Sequence, residues 1–185
     1  HTPETIGIKW QVDVKFVPKP CYVGPYENEF FQYTAIDEAS RERFIYPFME
    51  HNELATVEFI QRAITYFGYA PEVIQTDNGF EFTKISYPDQ PSDLDKLCNS
   101  LGIEHKLIRP RTPRHNGKVE RSHRIDQERF YNFLSFYSYD DLKLQMKRWL
   151  NRYNNMPKPV LKWKTPLQKR DELTHSDDNI PPFLK

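Results

Sequence analysis

Three acidic residues stand where acids are either unusual or well placed to act together. Asp13 lies inside a stretch that alternates apolar and polar residues. Asp77 ends a short apolar run just before Asn78-Gly79, and Glu120 follows a loop containing Gly117. Each also has an ordinary structural explanation. An Asp before Asn-Gly forms turns, and a Glu early in a helix complements the helix dipole. Asp13 fits least well, because Asp is depleted inside strands. Brought together, the three would repel, by about 4 kcal/mol for two charges about 4 Å apart at an effective dielectric of about 20. Such a cluster needs hard divalent cations with oxygen ligands, Mg²⁺ or Mn²⁺. Two ions about 3.5–4 Å apart can hold the attacking and leaving oxygens of an in-line phosphoryl displacement. Between positions 105 and 124 there are seven basic residues and one acid, Glu120 itself. Carboxylates beside a basic rim favour a phosphodiester substrate over a small metabolite.

The elements that must position these acids read clearly. Ile6, Ile8, Trp10, Val12, Val14 and Phe16 alternate with polar residues, the period of a strand. Phe30–Asp37 and Arg43–Phe48 are two more strands, joined by a tight connection into an antiparallel meander. The period then changes. Leu54, Val57, Ile60, Ile64 and Phe67 form a helical stripe, with Asn52 as N-cap and Gly68 as the stop. Val73–Thr76 is a short strand running into Asp77. Residues 84–92 form a loop, and Ser92 with Asp95 makes a capping box for a helix carrying Leu94, Leu97, Cys98 and Leu101. Glu104–Ile108 is a fifth strand. After a Pro- and Arg-containing loop, a helix starts near Lys118 and buries Val119, Phe130 and Phe133. Ser138 and Asp141 cap a further helix with the stripe Leu142, Met146, Trp149 and Tyr153. Beyond Asn154 the chain reads as irregular and basic, with Leu173–Lys185 as a tail. The order gives a mixed α/β layer protein, five strands flanked by helices. The expected division is a core over 1–156 and a basic extension over 157–185.

Composition narrows the partners. With 185 residues, 38% hydrophobic, the chain suits one domain and contains no apolar run of about 20 residues that could cross a bilayer. No charged and apolar leader opens it, and His1 in place of Met suggests a piece of a longer protein. Cys21 and Cys98 lack zinc-ligand or disulfide-scaffold spacing, so a reducing, intracellular setting is expected. Net charge is zero, but residues 1–100 carry a net of −8 and residues 101–185 a net of +8. Residues 143–170 hold nine basic residues and no acid. Such a split favours a polyanion partner.

Four segments in order carry a resemblance: Trp10-Gln-Val-Asp13, Ile36-Asp37-Glu-Ala-Ser40-Arg41, Thr76-Asp77-Asn-Gly-Phe-Glu81-Phe82, and Pro110-Arg-Thr-Pro-Arg-His-Asn116-Gly117-Lys118-Val119-Glu120-Arg121. From about Ile8 to Glu128 the chain resembles the catalytic core of the DDE integrase/transposase family, shared by bacterial insertion-sequence transposases and retroviral integrases. Arg152-Tyr153-Asn154 and Lys164-Thr165-Pro166 resemble its C-terminal flank. The resemblance implies a ribonuclease H-like fold. It also implies two Mg²⁺ or Mn²⁺ ions on Asp13, Asp77 and Glu120, DNA end cleavage, and strand transfer into target DNA. Lys118, Arg121, Arg124, Arg114 and Asn116 are then the expected DNA contacts. A homo-oligomer acting on element ends and target in the bacterial cytoplasm follows, with no membrane. Asp37, Ser40 and Arg41 match a motif expected to form a structural turn.

The sequence departs from the family in two places. The Asp77–Glu120 gap of 42 residues is longer than usual for the integrase-like branch, and the loop at 84–92 is where a surface insertion costs little. Gln127 stands where the family often has a Lys for end recognition. Two other readings keep the same residues: a ribonuclease H-like nuclease that only hydrolyses, and a transposase-derived DNA-binding module without catalysis.

Overall fold

A computed structural model describes residues 2–84, 87, 89–108 and 116–175. In chain order the elements are β1 (Lys9–Phe16), β2 (Phe31–Asp37), β3 (Arg43–Phe48), α1 (Glu53–Phe67), β4 (Val73–Thr76), α2 (Asp93–Leu101), β5 (Glu104–Leu107), α3 (Gly117–Arg129), α4 (Tyr139–Asn154) and α5 (Pro166–His175). The five strands form one sheet in the order β3-β2-β1-β4-β5. β1, β2 and β3 pair antiparallel, as the alternation predicts, while β4 and β5 add on parallel to β1. Both faces of β1 are covered. Trp10 packs on Phe67 and Tyr69 with Val12 buried on the same face, and on the other face Gln11 is buried by the start of α3. A strand that alternates in sequence is therefore buried on both sides at its middle.

The helix ends follow the sequence signals. Asn52 accepts the Ala55 N–H at 2.9 Å, and Gly68 closes α1 in the left-handed region at φ 78°. Ser92 and Asp95 form the reciprocal capping box, and Ser138 caps α4. Two expected core residues are corrected. Leu54 is 73% exposed, because the buried stripe of α1 runs through Ala55, Thr56, Phe59, Ile60, Ala63 and Phe67, about 100° further round. Phe133 is 82% exposed, because α3 stops at Arg129 and a 3₁₀ turn over Tyr131–Phe133 breaks the helical phase.

The segment after Asn154, expected to be irregular, is also corrected. It folds as a tight turn over Pro159–Leu161 followed by α5, which buries Leu173 in the core. Arg170 holds α5 down. It donates to both Glu42 oxygens, at 2.9 and 3.0 Å, and to the Phe67 carbonyl at 2.7 Å. Among the described residues, no helix is long and apolar enough to cross a membrane.

One buried ion pair fixes α3. Asp126 accepts from the Arg43 guanidinium at 2.9 and 2.5 Å, from Gln32 at 2.9 Å and from the Trp149 indole at 2.6 Å. The Arg43 guanidinium also lies 3.5 Å from the Tyr153 ring centre. These bonds tie the helix that carries Glu120 to β2, β3 and α4.

Candidate active site

Asp13 and Asp77 occupy adjacent strands. The parallel register sets Gln11 opposite Gln75, and each acid lies two residues further along its strand direction. Asp13 is largely buried, whereas Asp77 is exposed and turns back to accept the Gly79 N–H at 2.9 Å. Glu120 is exposed in the first turn of α3. Burial pushes the Asp13 carboxyl up to about 7. The charges of Asp77, Glu81 and Glu120 push the same way, against one hydrogen bond from the Val14 backbone. The three expected acids thus share one electrostatic site, though no three His, Cys, Asp or Glu side chains among the described residues already surround a common metal position.

Two further side chains stand beside these acids, Glu81 from the Thr76–Phe82 segment and His123, one turn on from Glu120 on the same helical face. Glu81 is buried beside Gly79, where a Cβ would come within 2.6 Å of its carboxylate oxygens. Burial raises its pKa, and Asp77 adds to the rise. Its signal was the Asp77-to-Glu81 spacing within a segment read mainly as a turn. His123 places Nδ1 3.4 Å from Asp13 Oδ2. Burial lowers the imidazole to about 4, so it is neutral at pH 7 and does not offset the acids. His51 offsets part of the rise at Glu81, and no cation is among the groups that shift Asp13, so these mutually repelling oxygen donors fit a hard divalent ion.

Gln11 links β1 to the start of α3. Its side-chain oxygen accepts the N–H groups of Lys118 and Val119, both at 3.1 Å, while its NH₂ donates to Glu38 at 2.5 Å. Glu38, buried in the β2–β3 connection, also pairs with Lys118 at 2.9 Å and Lys9 at 3.2 Å. Burial would raise the Glu38 carboxyl, yet Lys118 and Gln11 hold it below its usual value. Lys118, expected to reach outward, is therefore engaged inside the molecule.

Arg121 and Arg124 are exposed, and Asn116 is buried at the start of α3. Arg114 lies outside the described residues. Gln127 is bonded to Asn132 at 2.8 Å and to Lys15 at 3.4 Å. The Asp37 motif is a turn, as expected. Asp37 accepts from Gly7, Ala39, Ser40 and Tyr69, and Arg41 adopts φ 62°.

Family models described as the integrase core domain match residues 5–113 and 101–166. A putative integrase from Spiroplasma virus SpV1-C74 is 26% identical over 155 residues, covering 78% of this chain and 40% of that protein. The retrovirus-related Pol polyprotein from transposon TNT 1-94 of Nicotiana tabacum is 30% identical over 109 residues, covering 58% of this chain and 8% of the polyprotein. The chain therefore spans less than half the length of these relatives. Among solved structures, the HTLV-2 integrase catalytic core domain in complex with magnesium superposes with a TM-score of 0.67 at 21% identity, covering 90% of this chain and 97% of that one. A chain of the simian T-cell lymphotropic virus intasome superposes with a TM-score of 0.73 at 20% identity, covering 100% of this chain and 60% of that one. The five-stranded mixed sheet and its helices are thus those of the ribonuclease H-like fold, and the chain belongs to the integrase core domain family.

Proposed function

We propose that this chain is the catalytic core of an integrase or transposase that cuts DNA at the ends of a mobile element and joins the cut strand to target DNA. The observation that carries this reading is the acidic site on adjacent strands β1 and β4, where Asp13 is pushed up to about 7 by burial and by Asp77, Glu81 and Glu120. Asp13, Asp77 and Glu120 would hold two Mg²⁺ or Mn²⁺ ions, which when bound activate a water or a DNA 3′-hydroxyl and stabilise the displaced oxygen. The chain's own residues supply the framework. β1 and β4 carry the two aspartates on adjacent strands, and Gln11 holds the start of α3, the helix that carries Glu120. Arg121 and Arg124, on exposed turns of α3, contact DNA phosphates, with Asn116 and Arg114 at the approach to the helix. Lys118, paired with Glu38, steadies that approach from within.

Element ends and target DNA are the partners, and bringing two ends together requires a homo-oligomer. Solved relatives described as dimeric and trimeric forms support that reading. The setting we assign is the DNA of a bacterial cytoplasm. Residues 1–156 form the catalytic unit, and 157–185 a basic extension whose described part folds back on it.

The test is Asp77→Asn. The variant should keep its thermal midpoint and DNA affinity while Mg²⁺- or Mn²⁺-dependent nicking of a duplex falls to background. Undiminished nicking removes Asp77 from the site. Nicked product without joined product, in the wild type, assigns hydrolysis alone.

A further inference from the structure

α3 packs on the sheet through Val119, Ser122 and Asp126. At about 100° per residue, Glu120, His123 and Arg124 lie to one side of that stripe, and Arg121, Ile125 and Arg129 to the other. Against this second side stands Lys158, which is only 8% exposed. Its ammonium lies 3.6 Å from the centre of the Tyr153 ring, a ring that also contacts the Arg43 guanidinium. Lys158 makes no ion pair among the described residues. The nearest acid, Asp126, is already bound by Arg43, Gln32 and Trp149. Arg43, Arg121 and Arg129 all lie close enough to act on Lys158, and together with burial they push its ammonium down to about 8.

The loop that presents Lys158 is closed by backbone hydrogen bonds. The Lys158 N–H donates to the Lys164 carbonyl at 3.0 Å, and the Lys158 carbonyl accepts from Leu161 and Trp163 at 2.9 and 3.0 Å. Lys162 and Trp163 both hold left-handed φ values, 53° and 65°. Consecutive non-glycine residues there store strain, which persists where the surroundings fix them and is concentrated at ligand sites. Arg129 continues from Lys158 into a groove of about 250 Å³ that also holds Arg148, Arg152 and the exposed Phe133. None of these arginines has an acidic partner among the described residues.

We propose that Lys158, Arg121 and Arg129 form a phosphate-binding site on the side of α3 away from Glu120, extended by Arg148 and Arg152, and that it holds the phosphodiester backbone of bound DNA. The occupant rests on the DNA reading above, while the site itself rests on a buried ammonium over the Tyr153 ring, crowded by arginines and without an ion-pair partner among the described residues. A phosphate there would add the counter-charge that the described residues do not give Lys158 and relieve the repulsion from the arginines around it.

The experiment measures duplex DNA binding as a function of salt for the wild type, Lys158→Met and the exposed-residue variant Arg129→Gln, with thermal midpoints in buffer and in added inorganic phosphate. Each variant should make the slope of log K against log salt shallower by about 1, with affinity lost uniformly across sequences. Lys158→Met should also melt no lower than the wild type, since it removes an unpaired buried charge, and should lose the stabilisation by phosphate. Unchanged slopes for both variants, with a lower midpoint for Lys158→Met, would make Lys158 a packing residue and overturn the site. A wild type that binds no DNA, yet is stabilised by phosphate through Lys158, keeps the site and rejects DNA as its occupant. No response to either ligand rejects the site.

Discussion

Two kinds of buried charge coexist within a few turns of α3. At Arg43 and Asp126 opposite charges meet directly. Burial would weaken both ions, but each holds the other charged, and Gln32 and Trp149 use the remaining lone pairs of the carboxylate. At Asp13 and at Lys158 the charge is buried among its own kind. Acids surround the carboxylate and cations surround the ammonium, so burial and repulsion act together, raising one to about 7 and lowering the other to about 8. A paired charge is complete within the chain and serves the architecture. The two proposals complete the unpaired ones from outside: a divalent cation at Asp13, a phosphate at Lys158.

The largest effect is expected from breaking the complete pair. Asp126→Ala leaves Arg43 buried and uncompensated, and removing one partner of a buried pair costs about 3–5 kcal/mol. Urea unfolding should show that loss as a lower midpoint with little change in slope. A loss below about 1 kcal/mol would mean that Arg43 finds other compensation and that the two kinds of charge do not differ as described.

Much of this arrangement is legible in the sequence, and what is not has a common cause. Alternation and helical stripes locate all five strands and the first four helices, because each pattern is local. Asn52, Gly68, Ser92 and Ser138 mark helix ends through bonds spanning three or four residues. Asp13, Asp77 and Glu120 stand out through the order of their segments along the chain. Asp126 is not, since an Asp in a highly charged helix reads as a solvent-facing residue, and its partners lie 83 and 94 positions away. α5 is missed for the same reason. It buries only Pro166 and Leu173, and its anchor Arg170 reaches Glu42, 128 positions away. Lys118 reads as an outward-facing cation because nothing local announces Glu38.

A smaller effect should appear in the pH dependence of stability. Arg43 on β3, Arg121, Asp126 and Arg129 on α3, and Tyr153 on α4 face the Lys158 ammonium. Its folded pKa of about 8 lies below the ordinary lysine value of 10.5. Between those values the unfolded chain binds more protons than the folded one, so this group makes stability rise with pH. Below about pH 8 the ammonium is charged in both states and its cost is constant. Measured against Lys158→Met, which lacks the group, the wild type should gain on the order of 2–3 kcal/mol between pH 8 and 10. Parallel curves for the two proteins would mean that Lys158 is already compensated in the folded state.

The smallest expected change in stability separates an inward lysine from an outward one. Lys118→Ala removes one of three donors to Glu38, leaving Lys9 and Gln11, so its cost should be about 1 kcal/mol. Its chemical consequence should be larger than its binding consequence. Gln11 and Glu38 fix the first turn of α3 together with Lys118, and loosening that turn moves Glu120 relative to Asp13. Nicking should therefore fall while the salt slope of DNA binding stays that of the wild type, because no phosphate contact is lost. Glu38→Gln, which touches no DNA on this reading, should reproduce the same loss of nicking. If Lys118→Ala instead flattens the salt slope and Glu38→Gln leaves nicking intact, Lys118 swings outward when DNA binds and belongs with Arg121 and Arg124.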